Sequence, residues 1–177
     1  MCRLDAAPPG GVAPHTMHPL LILALGNTLL GDDGFGPHLL DHWQRHHPCP
    51  PPGVVTLDGG TGLWRCLEPL TEARHVILLD AVRHGPDPAG TLLVCPGEQI
   101  PRRSPLALSP HQQGVQSLLG LLEDLHLPLP PLTLIGVVPR STDFGDRLSP
   151  VVQAVLPRAL AALEQVLRTQ LPACTSL

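Results

Sequence analysis

Two aspartates and one histidine lie in short segments where glycine or proline interrupts regular structure. Asp33 follows Asp32 in a glycine-bracketed turn, Asp58 opens a Gly-Gly-Thr-Gly segment, and His111 follows a Ser-Pro pair. Two carboxylates and an imidazole from separate loops suit a borderline divalent ion such as nickel or zinc, with positions left open for substrate. Taken singly, each has a simpler explanation, because aspartate tolerates glycine turns and caps helices, and His111 alone would be interpreted as a loop or helix-start residue.

The strands predicted before these loops would bring the acids together. Residues 20–25 form a continuous apolar run, which predicts a strand covered on both faces, and the Gly-Asp-Asp-Gly turn comes shortly after it. Residues 54–57 predict a second strand directly before Asp58. Ligands of open α/β sheets bind beyond the carboxyl ends of the strands. We therefore expect Asp33 and Asp58 at one edge of a sheet.

Further apolar runs predict three more strands, at residues 75–82, 91–95 and 132–138. The first of these carries Asp80 near its end. The next one follows without an intervening helix, which favours an antiparallel neighbour. Helical spacing of apolar residues predicts helices at 35–45, 63–70, 112–127 and 151–171. Pro157 either kinks the last helix or marks its true start.

Alternating strands and helices predict an α/β fold, a three-layer α/β/α sandwich of the phosphorylase/hydrolase-like kind. Its five-stranded sheet is expected to be mainly parallel, with one antiparallel strand. The length of 177 residues fits one domain. We expect that domain to span residues 19–171, between a flexible amino-terminal tail at 1–18 and a carboxyl-terminal tail at 172–177.

Composition argues against several classes of function. The formal net charge is -4 and basic residues form no runs, so neither nucleic acid nor a membrane is an expected partner. The five cysteines are widely spaced without a C-x-x-C pair, which favours free thiols in a reducing cytoplasm. No serine occupies a G-x-S-x-G elbow. The loop at 26–36 lacks the lysine of a phosphate-binding loop and carries two acids instead.

Several short motifs occur in order between residues 20 and 171. They are GNTLLGDDGFG after the first predicted strand, DGGTG after the second, LLDAV on the third, SPHQ before a helix, and IGVVP followed by LSPVV. Each motif alone is weak, but the combination is specific. Over nearly all of this range the chain resembles the hydrogenase maturation endopeptidases.

The resemblance implies a five-stranded α/β/α protease that removes a carboxyl-terminal extension from the large-subunit precursor of a nickel-containing hydrogenase after metal insertion. It assigns Asp33, Asp58 and His111 as metal ligands and candidate catalytic residues. Many members have glutamate where this chain has Asp33. The nickel is expected to be that of the substrate, and zinc or cadmium could occupy the site in the isolated protein.

Other assignments stay open at the level of sequence. The metal could serve recognition, polarise the scissile carbonyl or activate water, and Asp32 or Asp80 could act as general base or support the site. Asp32 could equally cap a helix or pair with a basic group. The alternatives to a protease are a non-catalytic nickel-sensing chaperone of the large subunit and a small-molecule metallohydrolase. A monomer is the expected state.

Overall fold

A computed structural model describes residues 19–83, 85–100 and 114–171 of the chain. Five strands form one sheet in the order β2-β1-β3-β5-β4. All neighbouring pairs are parallel except β4 and β5, which are antiparallel. The predicted mixed sheet with one antiparallel strand is thereby confirmed. The strands are β1 (Leu20–Leu25), β2 (Val54–Gly60), β3 (His75–Ala81), β4 (Leu92–Pro96) and β5 (Leu132–Val137).

Helices cover both faces of this sheet. They are α1 (Phe35–His46), α2 (Leu67–Glu72), α3 (Val115–Asp124), α4 (Pro150–Gln153) and α5 (Leu156–Gln170). Alternate residues of β1 enter two separate apolar clusters, one shared with α1 and α5 and the other with α2 and α3. All six β1 residues are buried. This explains the unbroken apolar run, because a parallel strand between two helical layers has no solvent face.

Several element boundaries differ from the sequence predictions, and α3, for example, ends at Asp124, three residues before the predicted end. β2 continues through Asp58 and Gly59 to Gly60, three residues beyond the predicted end, and its pairing with β1 shifts register there. The last helical region is divided, and Pro157 lies in the first turn of α5. Proline is well tolerated in a first turn, so Pro157 marks a helix start. Within the described residues, no helix is both long and apolar enough to cross a membrane.

The first turn of α1 lies directly against the sheet. A Cβ atom added at Gly36 would come within 2.4 Å of the carbonyl oxygens of both Leu25 and Leu79. These are backbone atoms of β1 and β3, which cannot move away as a flexible side chain could. Because Gly36 has no side chain, the acidic turn before α1 can lie close to the ends of β1 and β3.

We predict that Gly36→Ala lowers the free energy of unfolding by about 2 kcal/mol or more, because the added methyl group forces α1 away from the sheet. Gly120→Ala is the matched control. Gly120 lies inside α3 with open space around it, and alanine there should stabilise the helix by up to about 1 kcal/mol. Urea unfolding of both variants tests this, and equal stabilities would contradict it.

Candidate active site

Asp33 lies in the 3-10 turn between β1 and α1 and is half-buried. The backbone N–H of Asn27 donates to Asp33 Oδ2 at 2.8 Å. Gly26 has a φ of +122°, and a Cβ there would overlap the Asp33 carbonyl oxygen at 1.9 Å, so glycine is required. Burial raises the pKa of Asp33, and the hydrogen bond from Asn27 opposes that rise.

Asp58 lies at the end of β2 and is exposed. The N–H of Gly60 donates to Asp58 Oδ1 at 2.9 Å, and the carbonyl oxygen of Gly60 accepts from Gly26 N–H at 3.1 Å. Asp58 and Asn27, the residue that holds Asp33, line one open cavity of about 190 Å³. Both predicted carboxylates thus lie at the carboxyl edge of adjacent strands, around the loop that follows β1.

Asp80 is buried at the end of β3. Its Oδ2 accepts from Val115 N–H at 2.7 Å, and a Cβ at Gly114 would lie 2.7 Å from the same oxygen. The pKa of Asp80 is raised to about 7, because burial, the largest cause, and the nearby charge of Asp33 raise it more than the backbone hydrogen bonds lower it. Asp80 therefore connects the start of α3 to the edge that carries Asp33.

Asp32 points into the protein, in contrast to its neighbour Asp33. Its Oδ1 accepts from Ser149 N–H, and its Oδ2 accepts from Arg140 N–H, Ser141 N–H and the Ser149 hydroxyl, at distances from 2.6 to 3.3 Å. The side chain is fully buried. Four donors compensate the buried carboxylate. Asp32 thereby fixes the loop between β5 and α4 against the acidic turn.

The third predicted ligand, His111, lies outside the described residues, and its placement stays a prediction. Among the residues that the structure does describe, no three His, Cys, Asp or Glu side chains are grouped closely enough to hold a metal ion. Asp33 and Asp58 supply carboxylate oxygens suited to a divalent cation. Further ligands would have to come from another segment, from water or from a bound protein.

Sequence reasoning missed Asn27, whose N–H orients Asp33, and Ser149, whose N–H and hydroxyl hold Asp32. The sequence does indicate a turn at Asn27, because Gly26-Asn27 ends the strand directly after β1. Ser149 precedes a proline at a helix start, which marks a helix amino terminus. Nothing local to Ser149 indicates its contact with a residue 117 positions earlier in the chain.

The sequence and fold of this chain are similar to those of proteins that act in hydrogenase maturation. A family model described as hydrogenase maturation protease matches residues 37–166. The chain belongs to the hydrogenase maturation protease family. It is 32% identical over 148 residues to the Hydrogenase 2 maturation protease of Escherichia coli, a match that covers 84% of this chain and 88% of that protein. It is 36% identical over 144 residues to the hydrogenase expression/formation protein HupM of Azotobacter chroococcum, a match that covers 80% of this chain and 68% of that protein.

Solved structures give the same relationship. An endopeptidase from Escherichia coli superposes with a TM-score of 0.73 and 29% identity, covering 89% of this chain and 99% of that one. A [NiFe] hydrogenase maturation protease from Thermococcus kodakarensis superposes with a TM-score of 0.64 and 28% sequence identity. That match covers 84% of this chain and 98% of the other. As a member of the family, this chain is an endopeptidase that acts in hydrogenase maturation.

We predict that Asp32→Asn lowers the free energy of unfolding by about 3 kcal/mol, because an amide NH₂ would face backbone N–H groups that need an acceptor. Asp146→Asn is the control in the same loop. The Asp146 side chain is 83% exposed, and its substitution should change stability by less than about 0.5 kcal/mol. Chemical denaturation of both variants at one pH measures the difference, and similar losses in both would contradict the anchoring role.

We predict that Asp80 makes the metal-free protease less stable as the pH rises from about 4 to about 7. Its folded pKa of about 7 exceeds the ordinary value of 3.8, so its contribution is complete below pH 4 and is lost through the folded pKa. Asp80→Asn mimics the neutral acid and can still accept from Val115. The stability of that variant relative to the unaltered protein should rise by a few kcal/mol over this range in chelator-containing buffer. A stability difference between Asp80→Asn and the unaltered protein that does not change with pH would contradict the prediction.

Proposed function

We propose that this protease removes the carboxyl-terminal extension of a nickel-containing hydrogenase large-subunit precursor after metal insertion, and that it recognises the precursor through its nickel. The supporting observation is the position of Asp33 and Asp58 at one open edge of the sheet. Each carboxylate is held through a single oxygen by a backbone N–H. Within the described residues, the second oxygen of each accepts no hydrogen bond and is available to a cation.

The contact between Asp80 and the start of α3 supports His111 as the third ligand. Gly114 and Val115 lie against Asp80, and the charge of Asp33 acts on Asp80. His111 is three residues before Gly114 in the sequence, a separation that spans at most about 10 Å of extended chain. In this proposal Asp80 is a positioning residue, which holds the segment that delivers the imidazole.

A cation brought by the substrate would make cleavage depend on prior metal insertion. Two carboxylates and one imidazole leave coordination positions open for the groups that already hold the nickel in the precursor. The nickel is then part of the substrate, and its arrival completes the site. We further propose that the protease acts as a monomer in the cytoplasm, where large-subunit assembly would precede cleavage.

Incubation with a nickel-loaded precursor should shorten that precursor, as measured by mass spectrometry, whereas the metal-free precursor should stay intact. Asp33→Asn, Asp58→Asn and His111→Ala should each reduce the rate at least about 100-fold, since loss of even an outer-shell partner of a metal ligand costs 10 to 100-fold. Asp33→Glu keeps a carboxylate and should retain activity.

The matched control is Asp41→Asn, an exposed aspartate of α1 paired with Arg45 at 2.7 Å. It should cleave at the unaltered rate. Equal cleavage of metal-free and nickel-loaded precursor would refute recognition through nickel. A stable complex with uncut precursor would instead favour the nickel-sensing chaperone.

A further inference from the structure

The aromatic residues of this chain divide sharply by location. Two of the four, Phe35 and Trp43, are fully buried, whereas Trp64 is 69% exposed and Phe144 is 87% exposed. The exposed pair lies on the loops that follow β2 and β5. Leu29, 54% exposed, lies on the loop that follows β1. We call Leu29, Trp64 and Phe144 the apolar rim, because their three loops leave the carboxyl edge that carries Asp33 and Asp58.

Backbone hydrogen bonds fix Leu29 and the neighbour of Phe144 side by side. Gly145 N–H donates to the Leu29 carbonyl oxygen at 2.9 Å, and Gly31 N–H donates to the Gly145 carbonyl oxygen at 2.8 Å. The Asn27 side chain also accepts from Leu29 N–H at 3.0 Å. Since Asp32 holds the same loop at both ends, Phe144 is exposed on a backbone that is already ordered.

Trp64 is presented in a similar way on the other side of the loop that follows β1. It lies in the 3-10 turn Leu63–Cys66, whose last residue is fully buried. Gly62 N–H donates to the Gly59 carbonyl oxygen at 2.8 Å, which closes the turn directly after Asp58 and the end of β2. The turn is therefore anchored by its buried cysteine while its tryptophan faces solvent.

Single exposed apolar side chains are ordinary on protein surfaces. Among the residues that the structure describes, the other exposed large apolar side chains lie on β2, on β4 and at the end of α3, and they are Val55, Val94 and Leu125. The rim differs because it contains both aromatic residues outside the core. Aromatic side chains on ordered loops lose little conformational entropy on binding and are enriched among the residues that dominate protein interfaces.

We propose that the apolar rim is the surface on which the hydrogenase large-subunit precursor docks. An apolar patch of the precursor beside its nickel site would cover Leu29, Trp64 and Phe144 while the nickel meets Asp33 and Asp58. This inference rests on the proposed function. The precursor is the expected occupant because Leu29 lies on the loop that carries Asp33, Trp64 lies in the turn that follows Asp58, and backbone hydrogen bonds join these loops to each other and to Gly145. The rim supplies binding energy, and the carboxylates sense the metal.

Steady-state cleavage of the nickel-loaded precursor tests the rim. Trp64→Ser and Phe144→Ser should each raise KM by roughly tenfold, the triple variant with Leu29→Ser should raise it further, and kcat should stay within about twofold. Leu125→Ser, at an exposed apolar position at the far end of α3, is the control and should leave KM unchanged. Unaltered KM in the triple variant, with normal cleavage by the parent protein, would overturn docking while leaving the proposed function intact.

Fluorine NMR of protease labelled with 5-fluorotryptophan gives a second readout that does not require cleavage. The two tryptophans give two resonances, and the Trp64→Phe variant assigns them. Added nickel-loaded precursor should shift or broaden the Trp64 resonance and leave that of buried Trp43 in place. A Trp64 resonance that moves without any cleavage would support docking and refute the proposed removal of the precursor's extension. An unmoved resonance at saturating precursor would refute docking.

Discussion

The arrangement of the candidate active site, at the carboxyl edge of the sheet, depends on the buried carboxylate of Asp32. A buried charge is costly unless hydrogen bonds replace the water it has lost. Asp32 obtains four donors, and all of them come from the loop between β5 and α4. The two loops can therefore separate only by leaving a carboxylate and several backbone N–H groups without partners. This cost keeps the acidic turn and the loop that carries Phe144 in one fixed relationship.

Adjacent aspartates in this turn have divided roles as a result. Asp32 faces inward and is saturated with hydrogen bonds, whereas Asp33 is half-buried and is held by one N–H. Close packing of glycine backbone sets the position of the turn, through Gly26 against Asp33 and Gly36 against β1 and β3. A carboxylate placed by a rigid backbone is suited to bind a cation, since little reorganisation is needed when the ion arrives.

Much of the fold was predictable from local patterns. β1 was predicted with its observed bounds because both of its faces are buried, and the antiparallel β4 because no helix precedes it. The extension of β2 to Gly60 was missed, since Asp-Gly-Gly has low strand propensity and is held by pairing with β1. The edge location of Asp33 and Asp58 followed from the parallel strands. The anchoring by Asp32 could not be predicted from local patterns, because the hydrogen-bond donors to its carboxylate lie 108 to 117 residues away in the sequence.

Electrostatics couples these acids to the cation that they are proposed to bind. Asp33 lies close enough to Asp80 that its charge raises the pKa of Asp80, and burial raises the pKa of both carboxyl groups. Without a cation, protonation of Asp80 relieves the repulsion near neutral pH. A divalent ion at Asp33 reverses this preference, because its positive charge favours carboxylate over acid. Metal arrival would therefore release a proton from Asp80 and change its contact with Val115 at the start of α3. The same contact holds Gly114 and Val115, which follow His111 in the sequence. In the proposed function, the metal, the proton and the proposed third ligand are therefore linked through one buried side chain.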